Sequence, residues 1–188
     1  YGPNVRAIRR LADQGATLLV TADTGTSAVD EVAEANGLGM DVVVIDHHQC
    51  DDELPPALAL INPNRPDDLS KLGHLAAVGL VFLAIVATNR ELRRRGFWSQ
   101  KIEPDLLGHL DLVALGTVAD VVPLKGLNRA FVAKGLLALR RRENPGLTAL
   151  MDVARLGGPP EPWHLGFLLG PRINAGGRIG RATLGVDL

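Results

Sequence analysis

A single cysteine, Cys50, cannot close an intramolecular disulfide, and no Cys/His spacing of the zinc-finger kind occurs, so a reducing, cytoplasmic setting is expected. Aromatic residues make up only 4% of the chain, which leaves few rings on which unpaired bases could stack. Charge of one sign is also lacking. Twenty Lys and Arg stand against 21 Asp and Glu for a net charge of −1, so any nucleic-acid binding must come from a local patch rather than a global basic field. The longest apolar run, Leu75 to Ala87, is too short to cross a bilayer and reads as a buried core helix. The opening Tyr1-Gly2-Pro3-Asn4 has neither a Met nor a basic and then apolar leader, and reads as an excised fragment without a signal peptide.

What is present is globular. With 188 residues, 46% hydrophobic and 22% charged, the chain can bury one sizeable core or two small ones. Val5, Ile8, Leu11 and Ala12 recur at helical spacing after Pro3, and Gly15 suits the position past the helix end. Residues 17–21 form a short β-rich run, and Ser27 with Asp30 suggests a capping box for a helix ending near Asn36-Gly37. The continuous apolar run 41–45 is of the kind buried on both faces of a parallel sheet, and 57–61 resembles a third strand. Helix, strand, helix, strand at this spacing predicts an α/β fold: a Rossmann-like parallel sheet with flanking helices, whose ligands bind beyond the carboxyl ends of the strands. From Leu75 onward the pattern is mostly helical, with segments at 75–94, 105–116, 127–142, 147–156 and 163–169. Gly157-Gly158-Pro159-Pro160 is the best candidate for a hinge.

The first strand runs into Thr21-Ala22-Asp23-Thr24-Gly25-Thr26-Ser27 and the second into Asp46-His47-His48. In neighbouring parallel strands these ends meet in one crevice. Carboxylates with imidazoles and no thiolate suit Mn²⁺ or Mg²⁺ better than a structural zinc. Consecutive His residues at a strand end point in different directions, so one can ligate metal while the other faces a phosphate. Either piece alone reads as a helix cap or a surface loop; the coincidence at matching ends favours a site. Asp120 lies in an apolar stretch, where a buried carboxylate is costly unless paired or metal-bound, and its other readings are a helix N-cap or an ion pair with Arg129. Asp111 reads as structural. Arg172 and Arg178, in a Gly-rich context, could grip backbone phosphates or belong to a flexible loop. Arg93-Arg94-Arg95 and Arg140-Arg141-Arg142 fall near helix C-termini, where the dipole favours cations.

Residues 21–27, Val44-Ile45-Asp46-His47-His48, Ala59-Leu60-Ile61-Asn62-Pro63, the segment from Asp111 to Leu124 and Pro171 to Arg178 together resemble the DHH phosphoesterase superfamily, in order and spacing. Within it they are most similar to the RecJ-type exonucleases specific for single-stranded DNA. The resemblance covers nearly the whole chain. It implies a two-ion Mn²⁺ or Mg²⁺ site, with Asp23, His47 and Asp120 as metal ligands, Asp46 orienting an imidazole, and His48 facing the scissile phosphate. The implied reaction is five-prime to three-prime hydrolysis of single-stranded DNA in repair and recombination, releasing five-prime mononucleotides. Single-stranded DNA and other repair proteins are the implied partners, with no membrane.

Ala22, Thr24 and Gly176 depart from the usual family residues without removing a ligand. The family's upstream Asp-rich segment has no counterpart. Residues 1–156 are therefore expected to form a partial DHH catalytic domain, and 157–188 the end of that core leading toward an absent second domain, as a truncated and inactive fragment. The rivals are another DHH enzyme (a nanoRNase, a cyclic-dinucleotide phosphodiesterase or a pyrophosphatase), which lacks the segment Leu115 to Leu124, and a non-catalytic nucleic-acid-binding module, against which the joint presence of Asp23, His47 and Asp120 argues.

Overall fold

The computed structural model describes residues 2–179, with side chains through residue 176. The chain divides into two compact units, Tyr1–Ala84 and Ile85–Leu188. In the first, α1 (Val5–Asp13) is started by Asn4, whose side chain accepts the Ala7 N–H at 2.9 Å. The chain continues through β1 (Leu18–Ala22), α2 (Val29–Gly37), β2 (Asp41–Ile45), β3 (Ala59–Ile61) and the beginning of α3 (Ala77–Arg94).

The three strands are parallel in the order β1-β2-β3. Val42 and Val44 of the central strand are fully buried, in keeping with its continuous apolar run. They pack with Ile8 of α1, Val32 and Ala35 of α2, and Met40. Across the sheet, Ile45 packs with Leu75 and Leu80. Strand β1 lies at the edge of the described sheet, and its Leu18 and Val20 are more than half exposed, at 55% and 53%.

Register decides where the chemistry sits. Ala22 pairs with Ile45, and Ile45 with Ile61. The ladder runs one residue further: the Asp23 N–H donates to the Ile45 carbonyl at 2.9 Å and the Asp46 N–H to the Ile61 carbonyl at 3.0 Å. Asp23, Asp46 and Asn62, each the first residue past its strand, therefore line up along one carboxyl edge.

The second unit is helical. It holds 3₁₀ turns at Phe97–Gln100 and Leu106–His109, then α4 (Leu110–Ala119), α5 (Gly126–Arg141), α6 (Pro145–Val153), α7 (Pro162–His164), a π-helical turn at Leu165–Leu169, and α8 (Gly170–Ile179). Its core joins Ala114, Leu115, Val132, Leu139, Leu147, Met151, Leu165 and Leu169.

Three expectations are corrected. Helix α2 is not capped by Ser27: its N-cap is Ala28, without a side-chain bond, because a turn closed by the Ala28 N–H on the Gly25 carbonyl delays the helix. The run from Leu75 is only partly a buried helix, since Leu75, Leu80 and Phe82 are buried but Ile85 and Val86 face solvent. The Gly-rich segment after Leu169 is helix α8 rather than a loop. At its start, a Cβ on Gly170 would press on the Leu165 carbonyl and the Ala119 side chain, so this residue's small size lets α8 continue the π turn beside α4.

Candidate metal centre

Asp23 sits just past β1 with φ 61°, a left-handed conformation that Asp tolerates better than most residues and that marks functional turns. The turn brings its Oδ1 to 3.2 Å from His47 Nε2. The other ring nitrogen of His47, Nδ1, lies 3.1 Å from the Leu75 carbonyl. A carbonyl can only accept, so Nδ1 carries the proton and Nε2 points its lone pair toward Asp23. A carboxylate oxygen and an imidazole lone pair then face each other with no hydrogen between them. Only a proton or a cation relieves that contact.

His48 is held differently. Its Nδ1 donates to Asp46 Oδ1 at 2.6 Å, and its ring meets that of His47 edge-on, with centroids 4.8 Å apart and planes at 64°. The consecutive imidazoles do diverge. Asp46 is buried and accepts further bonds at Oδ1 from the His47 N–H (2.8 Å) and at Oδ2 from the Thr26 N–H (3.0 Å). Burial works against its charge, yet the hydrogen bonds from His48, Thr26 and the His47 backbone outweigh it and hold the carboxyl at about 2, so it stays ionised.

One ligand atom each from Asp23, His47 and His48 lies within 4.8 Å of the others. The set is one carboxylate oxygen and two imidazole nitrogens, which suits a borderline or hard divalent ion better than a thiolate-preferring one. The 3.2 Å gap between Asp23 and His47 also matches adjacent ligands around an ion with bonds of about 2.1 Å. The residues fit Mn²⁺ or Mg²⁺. Beside them a cleft of about 290 Å³ is lined by Thr24, Thr26, Asp46 and His48, among others.

The remaining candidates belong to the second unit. Asp120, in the second unit, is exposed at the C-terminal cap of α4, so it is neither buried in its apolar stretch nor an N-cap. Asp111 is buried in the first turn of the same helix and accepts the Leu112 N–H at 2.7 Å, a structural role. The Arg172 guanidinium donates to the Leu168 carbonyl at 2.6 Å from within α8. Arg178 lies on that helix, and its side chain is outside the described residues.

Asn62 was not singled out from the sequence. It is buried past β3, and its amide donates to Thr26 Oγ1 and to the His48 carbonyl, both at 2.9 Å. The signal was present, since Asn62 follows its apolar run as Asp23 and Asp46 follow theirs.

Residues 2–117 match the model of the DHH family, N-terminal domain. The chain belongs to the DHH family. Among its relatives, the single-stranded-DNA-specific exonuclease RecJ of Dickeya dadantii is 42% identical over 192 residues, covering 100% of this chain and 33% of that protein. RecJ of Bacillus subtilis is 40% identical over 189 residues, covering 100% of this chain and 22% of that protein. This DHH chain thus spans a third or less of the length of these relatives. Among solved structures, exonuclease RecJ bound to manganese superposes with a TM-score of 0.82 at 30% identity, over 100% of this chain and 45% of that one. RecJ from Thermus thermophilus in complex with Mn²⁺ gives 0.80 at 30% identity, over 98% of this chain and 26% of that one.

Proposed function

We propose that this DHH chain is part of the catalytic core of a RecJ-type enzyme that hydrolyses single-stranded DNA from its five-prime end with Mn²⁺ or Mg²⁺. The observation that carries the reading is the convergence of Asp23, His47 and His48 at adjacent strand ends around the ionised, buried Asp46. The names of the RecJ relatives and of their manganese complexes support it.

Asp23 Oδ1 and His47 Nε2 are the atoms that would hold an ion, with Asp120 a further carboxylate from the second unit. A bound ion would lower the pKa of a water and offset charge developing on the phosphodiester. The chain's own residues do the rest. The Leu75 carbonyl keeps the His47 proton on Nδ1 and so keeps Nε2 available. Asp46 fixes the His48 ring through Nδ1, which leaves Nε2 to face the cleft. A doubly protonated His48 would there donate from Nε2 to a non-bridging phosphate oxygen, with Asp46 balancing its charge. Arg172 and Arg178 are assigned to backbone phosphates, which requires Arg172 to exchange its Leu168 carbonyl for DNA.

The same reading takes residues 1–156 as the partial catalytic domain and 157–188 as its end leading toward a second domain. It also places the protein in the cytoplasm beside other repair proteins. Among the described residues no helix is long and apolar enough to cross a membrane. The test is degradation of five-prime-phosphorylated single-stranded DNA with Mn²⁺ by the full-length protein and its Asp23→Ala variant. Loss of mononucleotide release in the variant alone is expected. Equal release by both overturns the metal assignment, and cleavage of dinucleotides without single strands overturns the substrate in favour of another DHH activity.

A further inference from the structure

The two imidazoles are aimed by different acceptors, the Leu75 carbonyl for His47 and the Asp46 carboxylate for His48. Each of those bonds has two ends on separate pieces of chain, and something must hold both ends still. Two asparagines past β3, one residue apart, do so.

Asn64 Nδ2 donates to the carbonyl of His47 itself at 2.5 Å, and reaches the Gly73 carbonyl at 3.4 Å. Gly73 leads directly into the turn, closed by the Leu75 N–H on the Leu72 carbonyl at 2.8 Å, that presents the Leu75 carbonyl to His47 Nδ1. One amide thus spans both ends of the His47 bond. Asn62 repeats the arrangement for the other ring. Its Nδ2 donates to the His48 carbonyl and to Thr26 Oγ1, and the Thr26 hydroxyl and N–H are donors to Asp46, the acceptor of His48 Nδ1. The pair is itself locked, since Asn62 Oδ1 accepts the Asn64 N–H at 2.8 Å.

We infer that Asn62 and Asn64 are positioning residues, each setting the tautomer and aim of one of the two imidazoles: Asn64 for the ring offered to the metal, Asn62 for the ring offered to the phosphate. The inference deepens the proposed function and rests on it for the words metal and phosphate, but the hydrogen-bond argument concerns the chain alone. An Ala at 62 or 64 leaves every donor and acceptor of the imidazoles in place and removes only what holds their surroundings.

The structure supplies a control that replaces neither a histidine nor an asparagine. A Cβ on Gly73 would overlap the side-chain oxygen of Asn64. The Gly73→Ala variant must therefore push that amide aside, and should reproduce the Asn64→Ala variant. Two-bond ¹H–¹⁵N correlation spectra of the histidine rings of the metal-free 188-residue chain, in alkaline buffer, read the tautomers directly. In the parent chain His47 should be held as the Nδ1–H form. Asn64→Ala and Gly73→Ala should each shift it toward the Nε2–H form with His48 unchanged, and the double variant should go no further than either single one. Asn62→Ala should move His48 and spare His47; Asn62→Asp, which keeps the volume and removes the donors, should do the same if the cavity left by Ala unfolds the chain.

Rings that stay put in folded Asn64→Ala and Gly73→Ala, or additive shifts in their double variant, overturn the inference. Addition of Mn²⁺ to the same samples tests the underlying reading separately. Selective broadening of the His47 signals in the parent chain supports that reading, and its absence at millimolar Mn²⁺ counts against it while leaving the tautomer result to decide the clamp. With both in hand, Mn²⁺ affinity should fall on the order of 10-fold in Asn64→Ala, as for other residues that orient a ligand, and less in Asn62→Ala.

Discussion

The two units bury polar side chains differently. In the helical unit three of them are satisfied close by in sequence: the Thr117 hydroxyl donates to the Val113 carbonyl at 2.7 Å, Asn128 donates to the Pro123 carbonyl at 3.0 Å, and Asp111 accepts from Leu112, while Asn89 makes a single longer reach, to Glu103 at 2.7 Å. The three local bonds close helix ends and turns and bring no distant residues together. In the sheet unit the buried polar groups reach across the fold. Thr26 binds Asp46 from 20 residues away, Asn62 reaches Thr26 over 36 and His48 over 14, and His47 reaches Leu75 over 28. Such a network is costly when half-made and rigid when complete. Among the described residues it lies at the carboxyl edge of the sheet, where the two imidazoles and the exposed Asp23 carboxylate are.

The strongest way to break this contrast is to remove the group with most chemistry and least packing. Asp23 is well exposed, so Asp23→Asn, which also tolerates the left-handed turn, should leave the melting temperature nearly unchanged while lowering nuclease turnover of the full-length protein by roughly 10³-fold. An unfolded variant would show that Asp23 serves the fold instead. In the same assay the isolated 188-residue chain should show little turnover, because three ligands cannot hold two ions; robust activity would mean the ligand set is wider or differently placed.

The reverse experiment belongs to the helical unit. Leu139, almost fully buried in its core, should cost about 2–5 kcal/mol when cut to Ala. Thermal or urea unfolding measures the loss, and the ring signals of His47 and His48 in the folded population should not move. Shifted rings would mean the network is less self-contained than the contrast requires.

Much of this was legible in the residues. The span 41–45 is strand β2 as read, because Val42 to Ile45 has no polar member and such a run has one use in a sheet covered on both sides. The strand-end rule then carries Asp23, Asp46, His47 and His48 to one edge. What was not legible depends on contacts distant in sequence. Nothing local says that Asn62 turns inward, since the partners that make its burial tolerable are Thr26 and the His48 carbonyl. The glycines of α8 argue locally for a loop, and the packing of Leu165 and Leu169 just before them overrides that propensity. Asp120 looked buried because its neighbours are apolar, but α4 ends there and turns it outward.

A smaller effect sharpens the contrast through pH. Asp46 titrates at about 2 in the folded chain against an ordinary value of 3.8. Because the folded value is depressed, its contribution to stability is complete above about 4 and is lost as pH falls toward 2. Asp46→Asn should therefore be less stable than the parent at neutral pH, with the difference narrowing across that interval. Acid titration of both by circular dichroism reads it, and a constant offset would show that the charge on Asp46 is not what the network stabilises.

The smallest change separates the two histidines, and the most direct measurement does the same: anomalous density from a crystal of this chain soaked in Mn²⁺. An ion is expected between Asp23 Oδ1 and His47 Nε2, with His48 still bonded to Asp46 and turned into the cleft. Density shared by both rings, density elsewhere, or none at saturating Mn²⁺ would contradict it.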